Sequence, residues 1–116
     1  MTDKELLEFA ANAAGYELIE MSDKSLTHIN TGGHDKPNWN PLNDDGDALR
    51  LAVNLNMNVF QTGGNAYAME SDGEDNGLKT SHKSDKYAAT RRAITRAAAE
   101  IGKAMTSAKQ DDKQGF

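Results

Sequence analysis

Met57-Asn58-Val59-Phe60-Gln61-Thr62-Gly63-Gly64-Asn65-Ala66-Tyr67-Ala68-Met69 decides the fold. Two short apolar runs flank Gly63-Gly64, and a tight turn between antiparallel strands needs a positive φ that glycine adopts without steric cost. The stretch reads as a β-hairpin. After the acidic connection Ser71-Asp72-Gly73-Glu74-Asp75-Asn76-Gly77, a third strand over Leu78-Lys79-Thr80-Ser81-His82 completes an antiparallel meander. Ser84 then caps a helix from Asp85 to about Met105. Tyr87, Ile94, Ala97, Ala98, Ile101 and Met105 fall on one face at helical spacing, with Arg92, Arg96, Glu100 and Lys103 opposite. Its many alanines favour helix and let the backbone approach a sheet closely. Thr106 to Phe116 lacks a core face and reads as a flexible tail.

Towards the N-terminus, Thr2 and Glu5 have the spacing of a capping box. Leu6, Leu7, Ala10, Ala13 and Ala14 form an apolar stripe and Gly15 supplies a left-handed stop, so the spacing predicts a helix over 3–14. A strand over 16–21, a turn at 22–25 and a second strand over 26–30 follow. Residues 31–45 carry Gly, Asn, Asp and Pro around the single Trp39, which is loop chemistry. Asn43, Asp44 or Asp45 can cap a helix over 45–55, apolar nearly all round and expected to be well buried. The order α-β-β-α-β-β-β-α places the chain in the α+β class, with helices packed on an antiparallel sheet as a layered α/β/α sandwich. A single domain is expected over 1–105, with the tail at 106–116.

Length agrees with one core: a chain of 116 residues buries about two-thirds of its unfolded surface. The apolar fraction of 37% is low, so that core has to be economical. Zero cysteines remove disulfides, thiolate zinc sites and cysteine nucleophiles together, and fit a reducing compartment. The charged N-terminus and the lack of a long apolar run point to a cytoplasmic protein.

Charge is distributed unevenly. Residues 1–75 hold fourteen acids against four bases, a net of −10, and residues 76–110 hold two acids against eight bases, a net of +6. Such polarity either offers a basic face to an anionic partner or lets two halves neutralise each other on folding; the second reading is favoured.

Candidate chemistry is sparse. His28, His34 and His82 have no helical pairing for a metal, and Asp72, Glu74, Asn76 and Gly77 start a calcium-loop pattern that breaks at Lys83, where a bidentate Glu is needed. Gly32-Gly33 and Gly63-Gly64 lack the lysine of a phosphate loop, and no serine sits in a nucleophile elbow. Asp44, Asp45 and Asp47 are accounted for by capping and the helix dipole. No catalytic residue, cofactor or metal is therefore expected. Trp39 either anchors its loop on the core, the favoured reading, or stands out as a binding hot spot. With Arg92, Arg96 and Lys103 it forms the set of partner-binding candidates. The hairpins and basic last helix also resemble the topology of double-stranded-RNA-binding domains, although the lysine run of that family is absent.

Trp39-Asn40-Pro41-Leu42-Asn43-Asp44-Asp45-Gly46-Asp47-Ala48-Leu49-Arg50-Leu51-Ala52-Val53, Tyr87-Ala88-Ala89-Thr90-Arg91-Arg92-Ala93-Ile94 and Ala97-Ala98-Ala99-Glu100-Ile101-Gly102 resemble the phage ABA sandwich family over roughly residues 1–105. The resemblance implies a helix–sheet–helix fold and a phage or prophage setting inside a bacterial cell, and brings no activity or cofactor with it. The expected function is a non-enzymatic accessory protein that binds a host or phage macromolecule, of host-interaction or counter-defence type. The alternative is a nucleic-acid-binding protein that uses its basic last helix.

Overall fold

Thr2 opens the first helix as its spacing predicts. Its hydroxyl accepts from the Glu5 N–H at 3.2 Å, the Glu5 carboxylate accepts from the Thr2 N–H at 3.1 Å, and Gly15 closes the helix at φ 76°. The computed structural model describes residues 1–29, 35–70, 78–81 and 85–114, with only the backbone for 78, 79 and 108–114.

The elements are α1 (Asp3–Ala14), β1 (Glu17–Glu20), β2 (Leu26–Ile29), α2 (Asp45–Asn54), β3 (Met57–Thr62), β4 (Asn65–Glu70), β5 (Leu78–Ser81) and α3 (Lys86–Gln114). This is the expected α+β class and order, with helices packed on antiparallel sheet. The strands form two separate sheets rather than one: β1 pairs β2, and β3-β4-β5 form the meander. Gly63 and Gly64 both have positive φ, at 58° and 76°, and close the β3–β4 hairpin in an unbroken register from Thr62↔Asn65 to Met57↔Glu70. Ala66 and Ala68 on β4 are fully buried and face the helices. By the two-residue alternation of a strand, Phe60 and Tyr67 point to the opposite face, where their rings stack at 4.9 Å; no helix covers that face among the described residues.

The final helix differs from expectation at both ends. Asp85 carries the cap, its Oδ1 accepting from the Tyr87 and Ala88 N–H groups at 2.9 and 3.1 Å, while Ser84 lies outside the described residues. Rather than stopping near Met105, α3 continues to Gln114. The physical reason is visible at Thr106, whose hydroxyl donates to the Gly102 carbonyl and accepts from Asn12 Nδ2, so the helix still has a tertiary partner beyond 105. Its apolar face is also shifted: Ala89, Ala93, Ile94, Ala97, Ala98 and Ala99 are buried, whereas Tyr87 and Met105 are exposed.

α1 and α3 lie side by side and run in the same direction. Asp3 at the start of α1 meets Arg92 at 3.2 Å, and Asn12 near its end donates to the Gly102 carbonyl at 3.3 Å and to Thr106 at 3.1 Å. The approach is closest at Gly102, where a Cβ would sit 2.7 Å from the Phe9 carbonyl carbon and still nearer its oxygen. Small residues make this seam, and they dominate the core: among the described residues, eleven of the seventeen buried hydrophobic ones are alanine. Each contributes little area, so cohesion depends on close contact rather than on side-chain size. The large members are Leu7, Leu26, Trp39, Leu51 and Ile94.

Gly102→Ala should therefore destabilise the fold by about 2 kcal/mol or more, because the added methyl meets backbone and cannot be accommodated by a rotamer change. Urea denaturation followed by circular dichroism reads the shift directly. Ala104→Gly, at an exposed position two residues on, should cost only about 1 kcal/mol through helix propensity.

Candidate functional site

The 36–44 segment is held by backbone pairing and one buried carboxylate. His28 and Lys36 exchange both N–H···O bonds at 2.8 Å, and the Trp39 N–H donates to the Leu26 carbonyl at 2.8 Å, so this stretch lies against β2. Trp39 is 3% exposed, with its indole edge-on to Tyr16 at 5.9 Å, and Tyr16 in turn stacks on His28 at 4.0 Å. Trp39 is thus the anchor of its loop and offers no exposed hot spot. One edge of it lines a cleft of about 460 Å³ beside the Lys4–Glu20 ion pair.

Asp47, in the first turn of α2, is completely buried. Its Oδ1 accepts from Arg50 Nη2 at 2.8 Å and lies 3.1 Å from Lys36 Nζ; its Oδ2 accepts from the Asn40 N–H at 3.0 Å and from Lys36 at 3.2 Å. Burial alone pushes the carboxyl up, but the Asn40 N–H together with Arg50 and Lys36 holds it below the usual aspartate value. Asp44 is the cap of α2, accepting from the Asp47 N–H at 2.7 Å. Asp45 pairs with Arg91 Nη1 at 2.6 Å, and Arg91 Nε donates to the Leu42 carbonyl at 2.9 Å. The two longest strings of the sequence resemblance are therefore bolted to each other through Arg91.

The expected basic face is largely spoken for. Arg92 pairs with Asp3, Arg96 reaches Thr80 Oγ1 at 3.4 Å, and Lys103 is exposed and close enough to Glu5 to help hold its carboxyl down, after the stronger effect of the Thr2 hydrogen bonds. With Arg91–Asp45, these contacts set the basic third of the chain against the acidic remainder, as the neutralising reading of the charge pattern anticipates.

What the sequence did not reveal is a cleft of about 650 Å³ between α2, β3 and the start of α3. Its walls are Ala48, Ala52, Val59 and Ile94, and Leu49 and Tyr87 stand on the rim, each 63% exposed. Val53, one turn on from Leu49, is 67% exposed. The expectation that α2 is buried nearly all round fails here: only the stripe of Asp47, Ala48, Leu51 and Ala52 is covered. Of the polar groups of the cleft, Asp45 pairs with Arg91 and Gln61 Nε2 donates to Thr90 Oγ1 at 3.1 Å, while the Lys86 ammonium stands 5.7 Å from the centre of the Tyr87 ring.

His34, His82, Gly32-Gly33 and the 71–77 connection lie outside the described residues. Among those that are described, no group of three or more His, Cys, Asp or Glu is arranged to hold a metal ion, and no helix is long and apolar enough to cross a membrane. The chain matches no family model, no curated protein and no solved structure.

Asp47 sets a pH dependence. Its folded carboxyl titrates below the ordinary value of 3.8, so its stabilising contribution is complete above that value and is lost as the pH falls through the lower folded one. Asp47→Asn should cost about 2 kcal/mol at neutral pH and show a shallower loss of stability below about pH 4 than the parent, in urea titrations at a series of pH values.

Proposed function

We infer that the protein is a non-enzymatic binding module whose ligand is a short apolar segment of another protein, taken into the α2–β3–α3 cleft. The observation that carries this reading is an apolar-walled cleft with Leu49 and Tyr87 exposed on its rim and Val53 exposed one turn further along α2, in which Asp45 and Arg91 already satisfy one another. The volume falls within the roughly 300–1,000 Å³ of ordinary ligand clefts, but a small molecule would need convergent free polar groups to orient it, and would leave the rim uncovered. An apolar helix or loop fills the walls and covers the rim together. Asp45 and Arg91 offset each other and Lys86 adds a single cation, so an apolar occupant is favoured and affinity should depend only modestly on salt.

The setting comes from the resemblance of the Trp39–Val53, Tyr87–Ile94 and Ala97–Gly102 strings to the phage ABA sandwich family. It supports a phage- or prophage-encoded accessory protein acting in the cytoplasm of a bacterial host, on a host or phage protein. Duplex RNA or DNA is a weaker match for this surface, since Arg92 is engaged with an acid of α1 and the chain carries a net charge of −5.

The test is retention of a protein from bacterial lysate by the immobilised parent, its identification by mass spectrometry, and rebinding of the purified partner to Leu49→Asp/Val53→Asp. Both substitutions are at exposed positions and should leave the circular dichroism spectrum intact. At least a tenfold loss of affinity, with little change between about 50 and 300 mM salt, supports the cleft. Undiminished binding by the double variant, or retention only of nucleic acid with steep salt dependence, sinks it.

A further inference from the structure

β3 is an edge strand. The meander runs β3-β4-β5, so among the described residues Met57–Thr62 pairs with β4 on one side only. Exposed edges present unpaired N–H and C=O groups, and natural proteins blunt them with charge, proline, a bulge, extreme shortness or a covering element. None of the first four devices is present here. The strand has six residues, its ladder with β4 is continuous, and it contains neither a charged residue nor a proline. Among the described residues α2 and α3 are the helices that touch β3; Val59 is half-buried on their side, while Asn58, Phe60, Gln61 and Thr62 remain exposed.

The geometry points to a second copy of this chain as the occupant of that edge, with β3 pairing antiparallel to its own counterpart about a two-fold axis at Phe60. Two observations select a copy of the same chain. A two-fold interface brings each residue against its own surroundings, so any charge near the axis meets its like; this strand has none, in a chain that is 27% charged. A two-fold axis at Phe60 also sets Asn58 opposite Thr62 and Val59 opposite Gln61. Finally, Phe60 is 41% exposed and already stacked on Tyr67 at an interplanar angle of 10°. The pairing extends that stack into a row of four aromatic rings and turns two three-stranded sheets into one of six strands. The contact is small, so the dimer belongs to the weak, concentration-dependent class. β3 also forms one wall of the cleft through Val59 and Gln61, but the aromatic row lies on the opposite face of the sheet and uses neither Leu49 nor Val53.

Sedimentation or light scattering of the full chain from about 10 μM to about 1 mM should show the mass rising from 12.6 kDa to twice that value. Phe60→Lys puts two ammonium groups across the axis and should hold the chain at monomer mass. Asn58→Lys, at an exposed position on the same strand, should do so as well, with an unchanged circular dichroism spectrum showing that the fold is intact. Because the chain has no cysteine, a mixture of Asn58→Cys and Thr62→Cys proteins reports the register: oxidation should give the mixed disulfide in preference to either homodimer. Leu49→Asp/Val53→Asp should leave the mass series untouched, so failure of the cleft reading and failure of this one are separable. Monomer mass at every concentration overturns the proposal, as does a dimer whose mass is indifferent to both lysine variants. A chain that stays monomeric while Phe60→Lys loses a retained foreign protein would assign the edge to that protein's strand instead.

Discussion

The fold hinges on a carboxylate with no access to water. Asp47 is buried beneath the 36–44 segment, and its two oxygens gather an ammonium, a guanidinium and a backbone N–H from three different places in the chain. A buried charge is tolerable only when its lone pairs are satisfied, so the loop cannot leave without stranding it and α2 cannot turn without breaking it. Lys36 and Asn40 fasten the loop to α2, and the neighbouring Asp45 and Leu42 fasten both to α3 through Arg91. Trp39 is pressed into the core by that arrangement, and Pro41 beside it is also fully buried.

Local chemistry was legible in the sequence wherever a single residue type does one job. The capping box, Gly15, the Gly63-Gly64 turn and the anchoring of Trp39 all follow from what those side chains and φ angles permit. Reach over long distances was not. That Arg92 would be occupied depends on Asp3, 89 residues away, and that α3 would persist past Met105 depends on Asn12, 94 residues from its Thr106 partner. Asp85 Oδ1 accepts the N–H groups at the start of α3, a role for which its sequence neighbour Ser84 is equally suited by side-chain chemistry.

The cleft escaped notice for a related reason. Leu49 and Val53 are apolar and lie in a helix that also carries Ala48, Leu51 and Ala52; periodicity records which residues share a side, but not which side the neighbouring elements leave open. The same holds for Phe60 and Tyr67. Alternation along the hairpin marks them as sharing a face, and only the position of α3 behind Ala66 and Ala68 shows that the other face was the one covered. Leu49, Tyr87 and Phe60 thus stand exposed on the two sides of β3, while Arg91 and Arg92 are engaged in tying the basic part of the chain to acids of α2 and α1.

A core assembled mainly from methyl groups also has a thermal signature. The heat-capacity change of unfolding follows the apolar surface that becomes hydrated, and eleven buried alanines release far less of it than the same number of leucines would. The dome of stability against temperature should accordingly be broad and low, with unfolding enthalpy that drifts only gently between cold and warm conditions. Such a molecule keeps a nearly constant margin over a wide range of growth temperatures without ever being strongly held at any one of them.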